Sequence, residues 1–234
     1  MTGFAKLAKV ESKLLLRDPG AIFSMAVPLF ILGIFGSGTS PGDTALPSMS
    51  MTIAVGLVGL YMVPTTLATY RERGILRRLS TTPVSPGALL SVQLILQLVF
   101  AVLASAVLVA VSVAVFQAAV PARVVTMVTA FLLGTSAIFA VGLLIAATAA
   151  SGRAANGVGV LLYFPLAYLG GVMQPKEAMP ELPATIGEFT PLGLFRQAVH
   201  DAWSGAATQP LLLAIMAVYA LVIGLVAARF FRWE

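Results

Sequence analysis

Six long stretches of the chain contain no charged residue, and short charged segments separate them. They are residues 19–42, 44–70, 79–122, 124–152, 154–175 and 202–228. Each has at least 22 residues, and about 20 apolar residues in a helix cross the hydrocarbon core of a membrane. The pattern predicts an all-α membrane protein with six transmembrane helices, at about 20–37, 50–70, 88–118, 124–150, 155–173 and 209–228.

The third stretch is long enough for two spans but lacks the residues of a turn. Between Gly87 and Pro121 there is no Gly or Pro, and a membrane hairpin without turn residues is not expected. A helix from Leu89 to Ala119 would be about 46 Å long. One long or tilted helix is therefore predicted here.

Composition agrees with a membrane protein and removes several classes of site. Of the 234 residues, 59% are hydrophobic and 10% are charged, against roughly 45–50% and about 25% in soluble domains. There is no Cys, which excludes disulfide scaffolds, thiolate nucleophiles and Cys-based metal sites. The first 20 residues have no apolar run before a small-residue cleavage site, so no cleaved secretory signal is expected.

The positive charges set the topology. Eleven of the fourteen Lys and Arg residues lie on the side of the membrane that holds both predicted termini. Because the cytoplasmic loops of membrane proteins carry an excess of Lys and Arg, both termini are predicted to be cytoplasmic. This bias also accounts for the net charge of +5, so nucleic acid is not expected as a partner. One domain, residues 1–234, is predicted.

The N-terminal segment, residues 1–18, has the pattern of an amphipathic helix. Its basic residues share one side, and most of its apolar residues lie opposite; Glu11 and Leu16 break the pattern. Such a helix suits the cytoplasmic headgroup region of the membrane. The alternative is a basic tail that only sets the topology.

A second cytoplasmic segment follows the second span. Ile75, Leu76 and Leu79 share one face of a helix, and arginines occupy the other. Glu72 lies on the apolar side and has no basic residue three or four positions further on. It therefore needs a partner from another segment or subunit, unless it is a solvated loop charge.

Two external regions are predicted. Residues 37–49 form a short turn region rich in Gly, Ser and Pro. Residues 174–190 cannot form one continuous helix, because they contain three prolines, Pro175, Pro180 and Pro183. The segment that follows Pro191 mixes apolar and polar residues, and it is predicted to be interfacial or re-entrant.

Two loop regions carry motifs that indicate a family. The cytoplasmic loop has Arg-Glu-Arg-Gly-Ile-Leu-Arg-Arg-Leu at 71–79 and Thr-Pro-Val-Ser at 82–85. The external region has Gly-Val-Met-Gln-Pro at 171–175, Met-Pro at 179–180, Pro183 and Thr-Pro-Leu at 190–192. These motifs resemble those of type-2 ABC exporter permeases, and the short single-domain form is most similar to the bacterial drug and antibiotic exporter branch. The resemblance implies a multi-pass permease of the bacterial plasma membrane that moves amphipathic organic molecules out of the cytoplasm.

The resemblance also implies partners and site residues. A cytoplasmic ABC ATPase, in two copies, would bind ATP and magnesium, and a second permease would complete the complex; a homodimer is favoured over a heterodimer. A cytoplasmic coupling helix between spans two and three would contact the ATPase through Arg71, Glu72, Arg73, Gly74, Arg77, Arg78, Thr82 and Pro83. An external gate region would include Gly171, Pro175, Pro180, Pro183 and Pro191.

The chain itself contains no recognisable energy source or catalytic centre. It has no Gly-Lys pair and hence no Walker A loop. The six stretches contain no acid, and the single His200 is external. A self-contained channel or secondary carrier would need an intramembrane ionisable residue or inverted repeats, and a membrane enzyme would need a base near a nucleophile. No catalytic residue, metal or cofactor is expected. Export of a lipid- or polysaccharide-type substrate by the same machinery remains an alternative.

A pathway without charges would use aromatic, Met and hydroxyl side chains, which suit amphipathic organic molecules. The candidates on spans one, two and five, the spans that the family favours, are Phe23, Met25, Phe30, Tyr61, Met62, Tyr163, Phe164 and Tyr168. Each could instead face lipid or pack between helices. Gln93 and Gln97 are predicted to form interhelical hydrogen bonds. Pro28 and Pro64 are predicted to kink their spans, as static bends or as hinges.

Overall fold

The computed structural model describes residues 3–75, 86–174 and 178–231, and their regular structure is helical. We number the helices α1 (Gly3–Leu15), α2 (Pro19–Gly36), α3 (Ala45–Glu72), α4 (Pro86–Phe116), α5 (Val124–Thr148), α6 (Gly152–Leu169), α7 (Glu181–Gly187), α8 (Pro191–Ser204) and α9 (Pro210–Phe230). Helix α3 contains a π-helical segment, Val58–Met62.

Five described helices are long and apolar enough to cross a membrane: α2, α3, α4, α5 and α9. Helix α6, in the place of the fifth predicted span, has 18 residues and is about 27 Å long. It is less apolar because its first two turns contain Arg153 and Asn156. The structure therefore supports a multi-pass membrane protein, and the count of six spans stays a prediction.

The second span begins earlier than the sequence pattern suggests. Residues 45–49, which were expected in the external turn region, form the first turns of α3. Pro47 is tolerated there because the N–H groups of a first helical turn have no partner within the helix. The carboxylate of Asp43 accepts a hydrogen bond of 2.7 Å from the N–H of Leu46, which satisfies one of these free donors.

Helix α3 is buried along most of its length. It packs against α2, α4, α5, α6 and α8, whereas α2, α4 and α9 expose many apolar side chains on their outer faces. This distribution is expected in a bilayer, because the lipid is as apolar as the side chains that face it. Packing contacts between helices, rather than burial of apolar surface from water, then fix the positions of the helices.

Glycines allow the closest of these contacts. A Cβ atom on Gly142 of α5 would lie 2.0 Å from the carbonyl oxygen of Gly59, and one on Gly159 of α6 would lie 1.8 Å from that of Leu60. Both carbonyls belong to the π-helical segment, so α5 and α6 contact α3 at its irregular part. By contrast, Gly157 has no atom within 4 Å of its missing side chain and serves no such contact.

The π-helical segment ends at Met62, two residues before Pro64. Pro64 has no N–H and cannot donate to the carbonyl of Leu60 four residues earlier. The N–H of Val63 bonds to the carbonyl of Val58, five residues earlier, as in a π-helix. The chain thus accommodates Pro64 with one wide turn, and whether this turn acts as a hinge stays a prediction.

Helix α8, which follows Pro191, is buried within the bundle. Phe195 is fully buried against Phe131, with ring centroids 6.0 Å apart, and a Cβ atom on Gly134 would lie 2.2 Å from it. Trp203 is also fully buried and donates from Nε1 to the carbonyl of Ala119 over 2.7 Å. The prediction of an interfacial or re-entrant segment concerns the membrane and stays open; within the protein, α8 is part of the core.

Candidate functional site: an apolar groove and its two ends

An apolar groove of about 270 Å³ lies between α2, α3 and α6. The described residues that line it are Phe23, Val27, Ile31, Phe35, Ile53, Leu57, Tyr61, Val160, Tyr163, Phe164, Ala167, Val172 and Met173. Among these residues, the hydroxyl groups of Tyr61 and Tyr163 are the only polar side-chain groups besides the thioether of Met173. The groove therefore suits an apolar or aromatic molecule that can also use a few hydrogen bonds.

Each helix contributes one stripe of side chains at helical spacing. The stripe of α2 is Phe23, Val27, Ile31 and Phe35; that of α3 is Ile53, Leu57 and Tyr61; that of α6 is Val160, Tyr163, Phe164 and Ala167. Residues three or four positions apart lie on one face of a helix. The groove is thus the space that remains where three apolar faces meet.

Aromatic rings form much of the groove wall. Phe23 and Tyr61 pack with ring centroids 5.8 Å apart, and Tyr163 and Phe164 pack edge to face at 5.7 Å. A Cβ atom on Gly56 would lie 2.8 Å from the ring of Tyr163. Gly56 therefore makes room for this ring between α3 and α6.

The structure brings together four of the eight predicted pathway residues: Phe23, Tyr61, Tyr163 and Phe164. The other four do not line the groove. Met62 is only 2% exposed and lies in the main core; Met25 packs on a second cluster around Leu32. Phe30 points outward and is 69% exposed, and Tyr168 is partly buried outside the lining.

Sequence reasoning missed the aliphatic members of the groove because it selected residues by chemical type. A stripe search would have found part of the lining: Val27, Ile31 and Phe35 follow Phe23 at intervals of four. The same interval of four joins Ile53, Leu57 and Tyr61 in α3, although Tyr61 lies within the π-helical segment.

The groove continues into a second cavity at the end predicted to be external. This cavity has a volume of about 210 Å³ and shares Phe35, Val172 and Met173 with the groove. Its lining adds the charged residues Asp43 and Arg196. The passage thus changes from apolar to polar along its length.

One predicted gate residue lies at this mouth. Gly171 lines the cavity and has a φ of +72°, a conformation that only glycine adopts at no steric cost. Pro180 precedes α7, Pro183 lies in its first turn, and Pro191 begins α8; none of the three lines the mouth. Pro175 lies outside the described residues.

At the opposite end, Arg71 and Glu72 bind the connection between α5 and α6. Arg71 donates one hydrogen bond of 2.8 Å to the carbonyl of Ala147 and another to the carbonyl of Ala149. A carboxylate oxygen of Glu72 accepts a hydrogen bond of 2.8 Å from the N–H of Gly152. The cation therefore lies at the C-terminus of α5 and the anion at the N-terminus of α6, where the helix dipoles favour these charges.

Of the two interpretations of Glu72, a partner in another segment and a solvated charge, each holds in part: Glu72 is exposed, and it accepts from a backbone N–H of another segment. Arg73 is exposed beyond the end of α3, and the chain turns at Gly74, which has a φ of +64°. Arg77, Arg78, Thr82 and Pro83 lie outside the described residues. Contact between this segment and an ATPase stays a prediction.

Comparison with known proteins gives one family. Residues 2–202 match the ABC-2 type transporter family, which is most of the chain. A comparison with curated proteins finds no match. The buried central helix, the apolar outer faces and the groove fit a membrane transport component. The chain therefore belongs to the ABC-2 type transporter family, as the multi-pass membrane component of an ABC exporter in which partner ATPases hydrolyse ATP.

Proposed function

We propose that this permease exports amphipathic organic molecules of the drug or antibiotic class, and that the groove between α2, α3 and α6 contacts them. The observation that carries this proposal is the chemistry of the groove: aromatic and aliphatic walls with two tyrosine hydroxyls, opening onto a mouth that holds Asp43 and Arg196. An apolar body with a polar end can move along such a passage without leaving a charge unpaired in an apolar medium.

A second permease would close the open side of the groove. Phe23 and Phe164, on opposite walls, are 50% and 55% exposed, which leaves room for cargo or a facing subunit. We favour a homodimer, with two ATPases on the cytoplasmic side and both chain termini in the cytoplasm of a bacterium. The excess of Lys and Arg on that side supports this orientation.

The contacts of Arg71 and Glu72 suggest how ATPase movement reaches the groove. The segment after α3 would bind the ATPase, and a displacement of that segment would pull on the α5–α6 connection through these two side chains. Helix α6 carries one wall of the groove. A tilt of α6 relative to α2 would therefore change the width of the groove.

Among the alternative cargoes, a lipid-type molecule is the second candidate, because the exposed phenylalanines leave the groove accessible from the side. A polysaccharide fits less well. Its many hydroxyl groups need hydrogen-bond partners, and the described lining offers two tyrosine hydroxyls.

A pair of phenylalanines on α2 provides the test. Phe23→Ala removes a ring from the groove, whereas Phe30→Ala removes an equal ring from an outward face of the same helix. With the ATPase in proteoliposomes, Phe23→Ala should change cargo-stimulated ATP hydrolysis and uptake several-fold, and Phe30→Ala should not. Equal behaviour of the two variants with drug-like and lipid cargoes would contradict the proposed pathway.

A further inference from the structure

A third cavity, separate from the groove, lies between the end of α1, the last turns of α3 and the start of α4. Its volume is about 340 Å³, and it is at the end of the bundle predicted to be cytoplasmic. Its chemistry is the opposite of that of the groove. The polar residues of its lining that bear on ligand binding are Glu11, Asp18, Thr65, Tyr70, Arg73 and Gln97.

Glu11 is the buried acid of this cavity. It is 7% exposed, and one of its carboxylate oxygens accepts hydrogen bonds from the Tyr70 hydroxyl over 2.6 Å and from the Gln93 amide. Gln93 thus forms the interhelical hydrogen bond predicted for it. Both donors are neutral, so neither balances the negative charge. A buried charge without a counter-charge is costly.

Gln97, one turn after Gln93, lines the same cavity without any hydrogen bond. It is 2% exposed, and within the described part of the chain neither its amide nitrogen nor its amide oxygen has a partner. The hydroxyl of Thr65, across the cavity on α3, is also buried and has no hydrogen-bond partner among the described residues. Buried polar groups almost always have partners. Unpaired donors and acceptors therefore lie beside the cavity.

The charges of the lining indicate the chemistry of that occupant. Two carboxylates, Glu11 and Asp18, face the cavity, and the one described cation in its lining, Arg73, is exposed to solvent. The buried side is thus negative and rich in oxygen acceptors. A primary ammonium group has three donors and no acceptor. Its positive charge would balance the negative charge of Glu11, which the neutral donors Tyr70 and Gln93 do not.

The rim of the cavity indicates that the ammonium belongs to an amphiphile. Leu14 and Leu15 of α1 line the cavity beside the polar groups, and Leu14 is 53% exposed. Lys9 and Lys13, on the same helix, are exposed, as expected of a helix in the headgroup region. An alkyl chain could follow the leucines while its headgroup enters the cavity.

We propose that this cavity binds the primary ammonium headgroup of an amphiphile from the adjacent leaflet. Glu11, Gln97 and Thr65 receive the ammonium, and the exposed Arg73 favours a phosphate next to it. The primary ammonium is present in an ethanolamine phospholipid and in a free long-chain amine, and the phosphate only in the phospholipid. The site is independent of the proposed cargo groove.

The test is native mass spectrometry of the full chain in detergent with phosphatidylethanolamine, phosphatidylcholine or dodecylamine. Phosphatidylcholine is the control lipid because its quaternary ammonium has no N–H. Phosphatidylethanolamine should be retained several-fold better, and Glu11→Gln, which keeps an acceptor for Tyr70 and Gln93, should weaken this retention about tenfold. Dodecylamine as the better ligand would make the source a free amine and still support the ammonium site.

Gln97→Leu distinguishes a binding role from a packing defect. If Gln97 binds the headgroup, this variant should lose the preference for phosphatidylethanolamine. Ser105→Ala is the matched control, because Ser105 is a buried, unpartnered side chain of the same helix outside this cavity. Equal retention of all three amphiphiles, or a Gln97→Leu protein that is more thermostable with unchanged lipid preference, would overturn the proposal. The measurement needs no ATPase, so failure of the transport proposal would not affect it.

Discussion

The contact between α3 and the start of α6 is the best place to test how movement passes through the permease. A Cβ atom on Gly152 would lie 2.0 Å from the hydroxyl oxygen of Thr69, roughly 1.4 Å short of ordinary contact. Thr69 cannot turn aside freely, since its hydroxyl donates to the carbonyl of Thr65 over 2.7 Å. Gly152→Ala must therefore break that hydrogen bond or push α6 away from α3.

The two responses have different costs. Breaking the Thr69 hydrogen bond costs about 1 kcal/mol, and overpacking at a helix contact typically costs about 1–3 kcal/mol. A shift of α6 by the missing distance would lengthen the 2.8 Å hydrogen bond between Glu72 and the N–H of Gly152 beyond hydrogen-bonding range. We expect a protein that folds, inserts and binds its ATPase but transports less cargo for each ATP hydrolysed.

The assay measures ATP hydrolysis and cargo uptake in the same proteoliposomes, with the partner ATPase present. Gly152→Ala should lower the ratio of uptake to hydrolysis several-fold, and Thr69→Ala combined with it should restore much of the ratio by removing the clashing oxygen. Gly157→Ala is the matched control on α6, because no atom lies within 4 Å of its missing side chain. An unchanged ratio in Gly152→Ala, or no rescue by the second substitution, would refute this account of the linkage.

Two further variants test other parts of the structure. Glu72→Lys places a cation at the N-terminus of α6 and should uncouple ATP hydrolysis from uptake while the protein remains inserted. The control is Glu181→Lys, a charge reversal at an exposed position at the other end of the bundle. Normal export by Glu72→Lys would contradict the coupling role. Trp203→Phe leaves the carbonyl of Ala119 without its donor and should lower stability by about 1–3 kcal/mol. The thermal unfolding midpoint in detergent measures this loss, and an unchanged midpoint would mean that the bond contributes nothing.

Much of the helical organisation follows from local sequence, and the partners of individual side chains do not. The charge-free stretches predicted the positions of α2, α4, α5 and α9 closely, since a lipid environment requires each spanning segment to satisfy its own backbone. The sequence left open whether Glu72 has a partner in another segment or is a solvated charge; Glu72 is exposed and also accepts a hydrogen bond from another segment. That partner, Gly152, is 80 positions away along the chain. Periodicity within one helix cannot identify a residue so distant.

The candidate groove illustrates the same limit. Tyr61 and Met62 are neighbours of similar apolar character, and the sequence favoured both as pathway residues. The structure directs Tyr61 into the groove, in line with Ile53 and Leu57, and Met62 into the core, because successive residues of a helix do not share a face.

The sequence by itself indicated the class of the protein and the approximate bounds of most long helices, because hydrophobic length and short motifs are properties of contiguous residues. Only the tertiary structure decided which faces of α2, α3 and α6 meet, which acids are buried and what Arg71 and Glu72 contact. Those outcomes depend on how the helices are rotated about their axes. Packing between helices sets that rotation, through close contacts such as those that Gly142 and Gly159 make with the backbone of α3.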